Sequence, residues 1–216
     1  MGAFYYGFVG LLQVVIAVVG ARHFFRHRNS YALLVVLVVA SLAYDNFVLA
    51  AGGFLPEGDA LRALSAPRFA LHALFTPTMM IAGFGALRGL GVRFAQSRGW
   101  HTVICAFATL LIAFGAYADI FNMRLEARVA EGITRYSNEF LPGPPIPAIL
   151  TIVVTLVFGV FAWRAAGWRW LFFGALVMFL TAPLFSLPIL QNIGEIAFTG
   201  SMVATQVRAA RGSASR

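Results

Sequence analysis

The chain has 216 residues, 60% of them hydrophobic and 11% charged, with a formal net charge of +8. A mean hydropathy of +0.82 excludes a water-soluble globular domain, which could not hide that much apolar surface. Every basic side chain other than histidine is arginine, which excludes a lysine Schiff base, retinal's included, and a catalytic lysine.

In chain order, seven apolar segments approach the roughly 20 residues that a helix needs to cross a core of about 30 Å. They cover 4–20, 31–51, 68–88, 101–119, 146–163, 170–187 and 190–207. None alternates like a strand, and a backbone in lipid must bond to itself, so each is expected to be a helix. No positive charge precedes the first, which reads as a retained span rather than a signal peptide. Arg22, Arg26 and Arg28 follow span one, Arg88, Arg93 and Arg98 follow span three, and Arg164 and Arg169 separate spans five and six. The positive-inside rule makes these loops cytoplasmic. The net positive charge is therefore a topology signal, not a nucleic-acid face. The expected fold is all-α: one seven-helix transmembrane domain over 1–207, N-terminus outside, with a cytoplasmic tail at 208–216. The bacterial cytoplasmic membrane is the expected location. Trp100, Trp163, Trp168 and Trp170 lie at cytoplasmic span ends, as an aromatic belt would.

Two regions are less regular. Pro183 and Pro188 interrupt the boundary of spans six and seven, where one broken helix is the alternative to two spans. In the long outer loop 119–145, Phe121, Leu125, Val129 and Ile133 recur every four residues. That spacing predicts an amphipathic helix on the outer surface, or a lid, with Glu131 and Arg135 as an i,i+4 pair. Residues 141–147, rich in proline, then form a stiff connector. A faint repeat aligns residues 72–79 with 195–202, placing His72 opposite Glu195.

Ionisable residues inside spans are expensive and mark functional sites by default. Span two carries Asp45, span three Arg68 and His72, and span seven Glu195. At ~1.5 Å per residue, Asp45 lies about 6 Å, His72 about 9 Å and Glu195 about 4–5 Å to the outer side of their span midpoints, with Arg68 near the rim. The inner halves carry no formal charge. These positions predict a one-sided outer pocket above an apolar floor. His72, Asp45 and Glu195 are the candidate catalytic groups, with His72 carrying a proton and a carboxylate as its partner. Arg68 would anchor a phosphate or carboxylate head group. Asn46, Tyr44, Thr76 and Asn192 are the other candidate substrate-binding groups. Each has a plainer reading: Arg68 can snorkel to the interface, His72 can be a packed neutral ring, and Asp119 with Asn122 can simply end a helix.

His72, Asp45 and Glu195 are also the only set to which a divalent metal could be assigned, and no two-histidine helix motif supports it. No nucleotide fingerprint occurs. The seven-span arrangement resembles SWEET sugar transporters, endoplasmic-reticulum retention-signal receptors and microbial rhodopsins in architecture alone. Three functions stay open: an enzyme or binder acting on a lipid or lipid-like molecule, a proton-coupled transporter using Asp45 and Glu195, and a non-catalytic scaffold. Expected partners are membrane lipids, with a homo-oligomer or membrane partner protein open and nucleic acid excluded.

Overall fold

The computed structural model describes residues 2–141, 145–184 and 188–214. The chain is mostly helical. α1 (Gly2–His27) and α2 (Ser30–Ala51) form an antiparallel pair joined only by Arg28 and Asn29. Arg28 reverses the chain with φ of 50°, and the Asn29 side chain accepts the Tyr31 amide at 3.0 Å to cap α2.

α3 (Asp59–Phe75) and α4 (Thr78–Gly89) are the two halves of one rod, broken at Thr76–Pro77. Proline lacks an amide hydrogen and its ring crowds the preceding turn. The Thr78 hydroxyl donates to Phe75 O at 2.6 Å at the break. The rod begins nine residues before the predicted span, because Leu61 is buried against Val48 and Tyr136 outside the apolar stretch. α5 (Arg98–Ala116) ends in a π-helical turn at Tyr117–Phe121.

The predicted surface helix is a β-hairpin. β1 (Leu125–Ala130) pairs antiparallel with β2 (Ile133–Asn138), with Ala130 opposite Ile133 across a two-residue turn. Glu131 and Gly132 have φ of 56° and 75°, the pair of positive values that matches a two-residue turn to the twist of its strands. A four-residue spacing is close to the 3.6 of a helix but is also two strand periods, so the apolar pattern fits both. The left-handed turn and the β-branched and aromatic residues of β2 favour the strand. The expected Glu131–Arg135 pair does not form; the Tyr6 hydroxyl donates to the Glu131 carboxylate instead.

The hairpin caps one end of the bundle. Gly52, at the end of α2, lets β2 approach so closely that a Cβ would collide with Thr134 O, and its carbonyl accepts the Thr134 amide at 2.9 Å. Ile133 packs on Tyr6 and Leu49, and Tyr136 packs on Val48 and Leu61.

α6 (Ile146–Ala166), α7 (Trp170–Thr181) and α8 (Pro188–Ala214) complete the fold. Gly167, in the left-handed region at φ 65°, ends α6. α7 is only 12 residues long, about 18 Å at 1.5 Å per residue, and stops well short of the predicted span end at 187. It packs antiparallel on α8: Gly174 meets Ser201 and Thr181 meets Gly194, each without room for a Cβ. α7 and α8 are therefore two separate helices and not one broken rod; the boundary residues 185–187 lie outside the described residues. The predicted tail is also different, since α8 stays helical to Ala214.

Among the described residues, five rods are long and apolar enough to cross a membrane: α1, α2, α3–α4, α5 with its π turn, and α6. Phe8, Leu11, Leu110, Leu180 and Ile193 point outward and are more than half or about half exposed, which suits lipid as the surrounding solvent. The chain reads as a multi-pass integral membrane protein. The main core, with Val39, Phe84, Leu87, Leu171 and Met202 at its centre, fills the half of the bundle away from the hairpin.

Candidate functional site

Between that core and the hairpin lies a cavity of about 490 Å³. Asp45 from α2, Arg68 and His72 from α3, and Glu195 from α8 all line it. Four residues from three rods, separated by up to 150 positions in sequence, are thus brought to one space. Arg68 and His72 share a face because they are one helical turn apart.

Arg68 Nε donates to Asp45 Oδ1 at 2.6 Å, with the two side chains 11% and 29% exposed. The bond uses one edge of the guanidinium. Its Nη1 is buried without a hydrogen-bond partner among the described residues. The Phe69 ring lies 5.4 Å from the guanidinium carbon, which adds a cation–π contact. An Arg68 that snorkels to water would not be held by a carboxylate and a ring in this way.

His72 and Glu195 differ from that pair. Neither side chain has a hydrogen-bond partner among the described residues. Asp45, Asp119 and Arg68 are the charges that act on His72, and Asp45 is the one that acts on Glu195. Both residues are half-buried, and both also line a second cavity of about 490 Å³. Ile149 and Ile152 of α6 and Met178 and Phe179 of α7 wall this second space, which is almost wholly apolar. His72 and Glu195 therefore stand at the junction of a polar chamber and an apolar one.

The other sequence-derived candidates lie elsewhere. Tyr44 turns its hydroxyl to Leu64 O at 2.8 Å, and Asn46 is buried with its Nδ2 on Leu42 O at 2.9 Å. Each is one position from Asp45 and so points about 100° away from it. Thr76 sits in the α3–α4 break. Asn192 is buried beside Tyr5 of α1, with Nδ2 unpartnered among the described residues. None of the four lines either cavity. On α8 the residue that shares the cavity face with Glu195 is Gln191, one turn earlier, whose Nε2 donates to Ala182 O at 3.0 Å.

Two polar residues of the site were not among the sequence candidates. Asp119, read from sequence as a helix-end group, lines the polar cavity and accepts from Asn138 Nδ2 at 2.8 Å. Asn138, the last residue of β2, also donates to Ala118 O at 3.1 Å, while its Oδ1 accepts the Arg124 and Phe140 amides. One side chain thus pins the hairpin to the π turn at the cavity wall. The π turn adds a residue to the helical repeat and rotates Asp119 relative to α5, a change of phase that regular periodicity does not anticipate.

No three His, Cys, Asp or Glu side chains among the described residues are gathered closely enough to hold a metal ion, so His72, Asp45 and Glu195 share a cavity without forming a ligand set. What the site offers is a fixed cation with spare donors, a carboxylate that holds it, and an imidazole and a carboxyl group without hydrogen-bond partners among the described residues.

No protein-family model matches the chain, and no curated protein is similar to it in sequence.

Proposed function

We propose that this membrane protein binds an amphiphilic, lipid-like molecule from the outer leaflet, and that His72 and Glu195 perform acid–base chemistry at its head group. One observation carries the reading: the polar cavity and the apolar cavity meet at His72 and Glu195. A head group fits the first and a chain the second. Arg68 would receive an anionic head through its unpartnered donors. Asp45, already bonded to Arg68, would position that cation rather than act as base. His72 and Glu195 would be free to exchange protons with substrate.

In this proposal the hairpin faces outward. All eight acidic residues belong to the hairpin half of the molecule, whereas the opposite end carries arginine from α1, α4, α6 and α8, the distribution that the positive-inside rule assigns to the cytoplasmic side. The packed core beneath the cavity favours a one-sided site over a proton-coupled path through the bundle.

The test is photo-crosslinking in vesicles that contain a diazirine phospholipid, followed by peptide mapping, with lipid-extract profiling in parallel. Labelling is expected on α6 near Ile149 and Ile152. It should weaken at least fivefold in Arg68→Gln and Ile152→Trp, and His72→Ala should abolish any change in the lipid profile. Labelling indifferent to both cavity variants would overturn the proposal. A pH-gradient-driven flux lost in Glu195→Gln would replace it with transport.

A further inference from the structure

A second built feature lies at the other end of the molecule, against α1 and α8. On α1, Val15 and Val19 lie one turn apart, with Arg22, His23 and Arg26 following on the same side. On α8, Gly200, Val203, Ala204 and Val207 are spaced as one helix face, continued by Arg211. Together they bound an apolar groove of about 370 Å³ beside a basic hollow of about 400 Å³. Val207 and Arg211 line both, so the two spaces adjoin.

Three properties distinguish this groove from an ordinary helix seam. First, it is open: a Cβ on Gly200 would meet no atom within 4 Å. Second, its outer wall is unpartnered, with Val15 60% and Val19 48% exposed. Third, its end is cationic without a counter-charge among the described residues. Arg22, Arg26 and Arg211 converge there beside the rings of His23 and His27, whose centroids are 4.6 Å apart and whose planes are tilted by 42°. No ion pair involves these arginines among the described residues, and none of the eight acidic residues belongs to this end. His23 is 8% exposed and its Nε2 has no hydrogen-bond partner among the described residues.

We propose that the groove between α1 and α8 binds an anionic phospholipid, with one acyl chain along Val15, Val19 and Gly200 and the phosphate among Arg22, Arg26 and Arg211. The dimensions suit it. From Val15 to Arg26 the groove runs about 16 Å at 1.5 Å per residue, against ~15 Å for one leaflet of a ~30 Å core. Basic pockets between membrane helices recognise anionic head groups, and guanidinium forks match phosphate oxygens. A second copy of this chain fits less well, because like would face like at the arginine cluster. A free phosphate would use the hollow but leave the apolar groove unexplained. The site is independent of the His72–Glu195 cavities and requires only that this end lies at a membrane surface.

Native mass spectrometry of the purified full chain, with phosphatidylglycerol and phosphatidylethanolamine of equal chain length, tests the proposal. At least tenfold preferential retention of phosphatidylglycerol is expected. Arg26→Gln with Arg211→Gln should reduce the preference to less than twofold. Gly200→Leu puts a side chain into the groove at a position where a Cβ meets no atom within 4 Å and exchanges glycine for a better helix former; it should lower phosphatidylglycerol retention to the level of the double variant while the protein stays folded by circular dichroism. Millimolar inorganic phosphate should not displace the lipid. Equal retention of the two lipids overturns the proposal, as does a preference that survives both Gly200→Leu and the arginine changes. Displacement by phosphate would assign the hollow to a soluble anion, and a dimer lost in Gly200→Leu would assign the groove to a second copy; either result also overturns it.

Discussion

The two ends of this bundle are built from the same rods and satisfy their polar groups differently. At the arginine-rich end, several interior polar side chains are bonded within the bundle, although His23 Nε2 stays buried without a partner among the described residues. Gln206 Nε2 donates to Ala82 O at 2.9 Å, Trp168 Nε1 to Thr205 Oγ1 at 2.9 Å, and Phe84, Leu87 and Leu171 fill the space between. At the hairpin end the helices part around a cavity. His72 and Glu195 stay without partners among the described residues, and Arg68 is half used. An unmade hydrogen bond at a buried group costs about 1–3 kcal/mol. Of the buried unpartnered groups among the described residues, only Arg68 Nη1 lines this cavity, where it stands with the half-buried His72 and Glu195 beside an apolar annex. In this bundle the packed half holds the rods in place so that the other half can stay incomplete.

The largest expected effect tests the packed half. Phe84 is wholly buried among Phe94, Phe158 and His101, so Phe84→Ala should destabilise by about 4 kcal/mol through the cavity it leaves. Thermal unfolding in detergent reads this, and a loss below 1 kcal/mol would mean that the floor is not packed. Arg68→Ala comes next. It strands Asp45 beside the cavity, at a cost of about 3 kcal/mol. Asp45→Asn with Arg68→Ala should recover part of that loss, whereas an additive double variant would dissolve the pair.

Tyr6→Phe removes the hydroxyl that holds Glu131 at the hairpin turn. A hydrogen bond to a charged group contributes about 1.5–3 kcal/mol. Hydrogen exchange at Glu131–Ile133 should accelerate while the α4 core stays protected; uniform acceleration would mean that hairpin and bundle open together. The smallest effect is the sharpest test of the comparison. Glu195→Gln removes an ionisable carboxyl group that has no hydrogen-bond partner among the described residues, so stability should change by less than about 0.5 kcal/mol, or rise, as at sites where function sets the residue. Crosslinked lipid or its chemistry should nevertheless be lost. A marked loss of stability would show that Glu195 is a structural group.

Part of the site was legible before any fold. Asp45, Arg68, His72 and Glu195 stood out because a charge in an apolar run is costly, and counting 1.5 Å per residue placed all four in the same half. They do line one cavity. The rotation of each rod about its axis was not legible. Tyr44 and Asn46 flank Asp45 in sequence yet face away from the cavity, and on α8 the cavity face takes Gln191 where the expected stripe had Asn192. Small residues such as Gly174 and Gly194 let α7 seat on α8 and set that rotation. Nor could the hairpin be read from spacing, because four residues is one approximate helical turn and also two strand periods.

The sequence by itself determined a multi-pass helical membrane protein, loops rich in arginine that lack carboxylates, and four ionisable residues in the same half of their spans. Those are one-dimensional quantities: hydropathy, charge order and rise per residue. Only the tertiary structure decided that residues 125–138 fold into a hairpin over the α2–α3 turn, that a π turn and Asn138 bring Asp119 into the cavity wall, and that His72 and Glu195 meet between a polar and an apolar chamber. Those outcomes depend on contacts between residues far apart in the chain. Side-chain volume at each crossing sets them, and no local pattern carries that information.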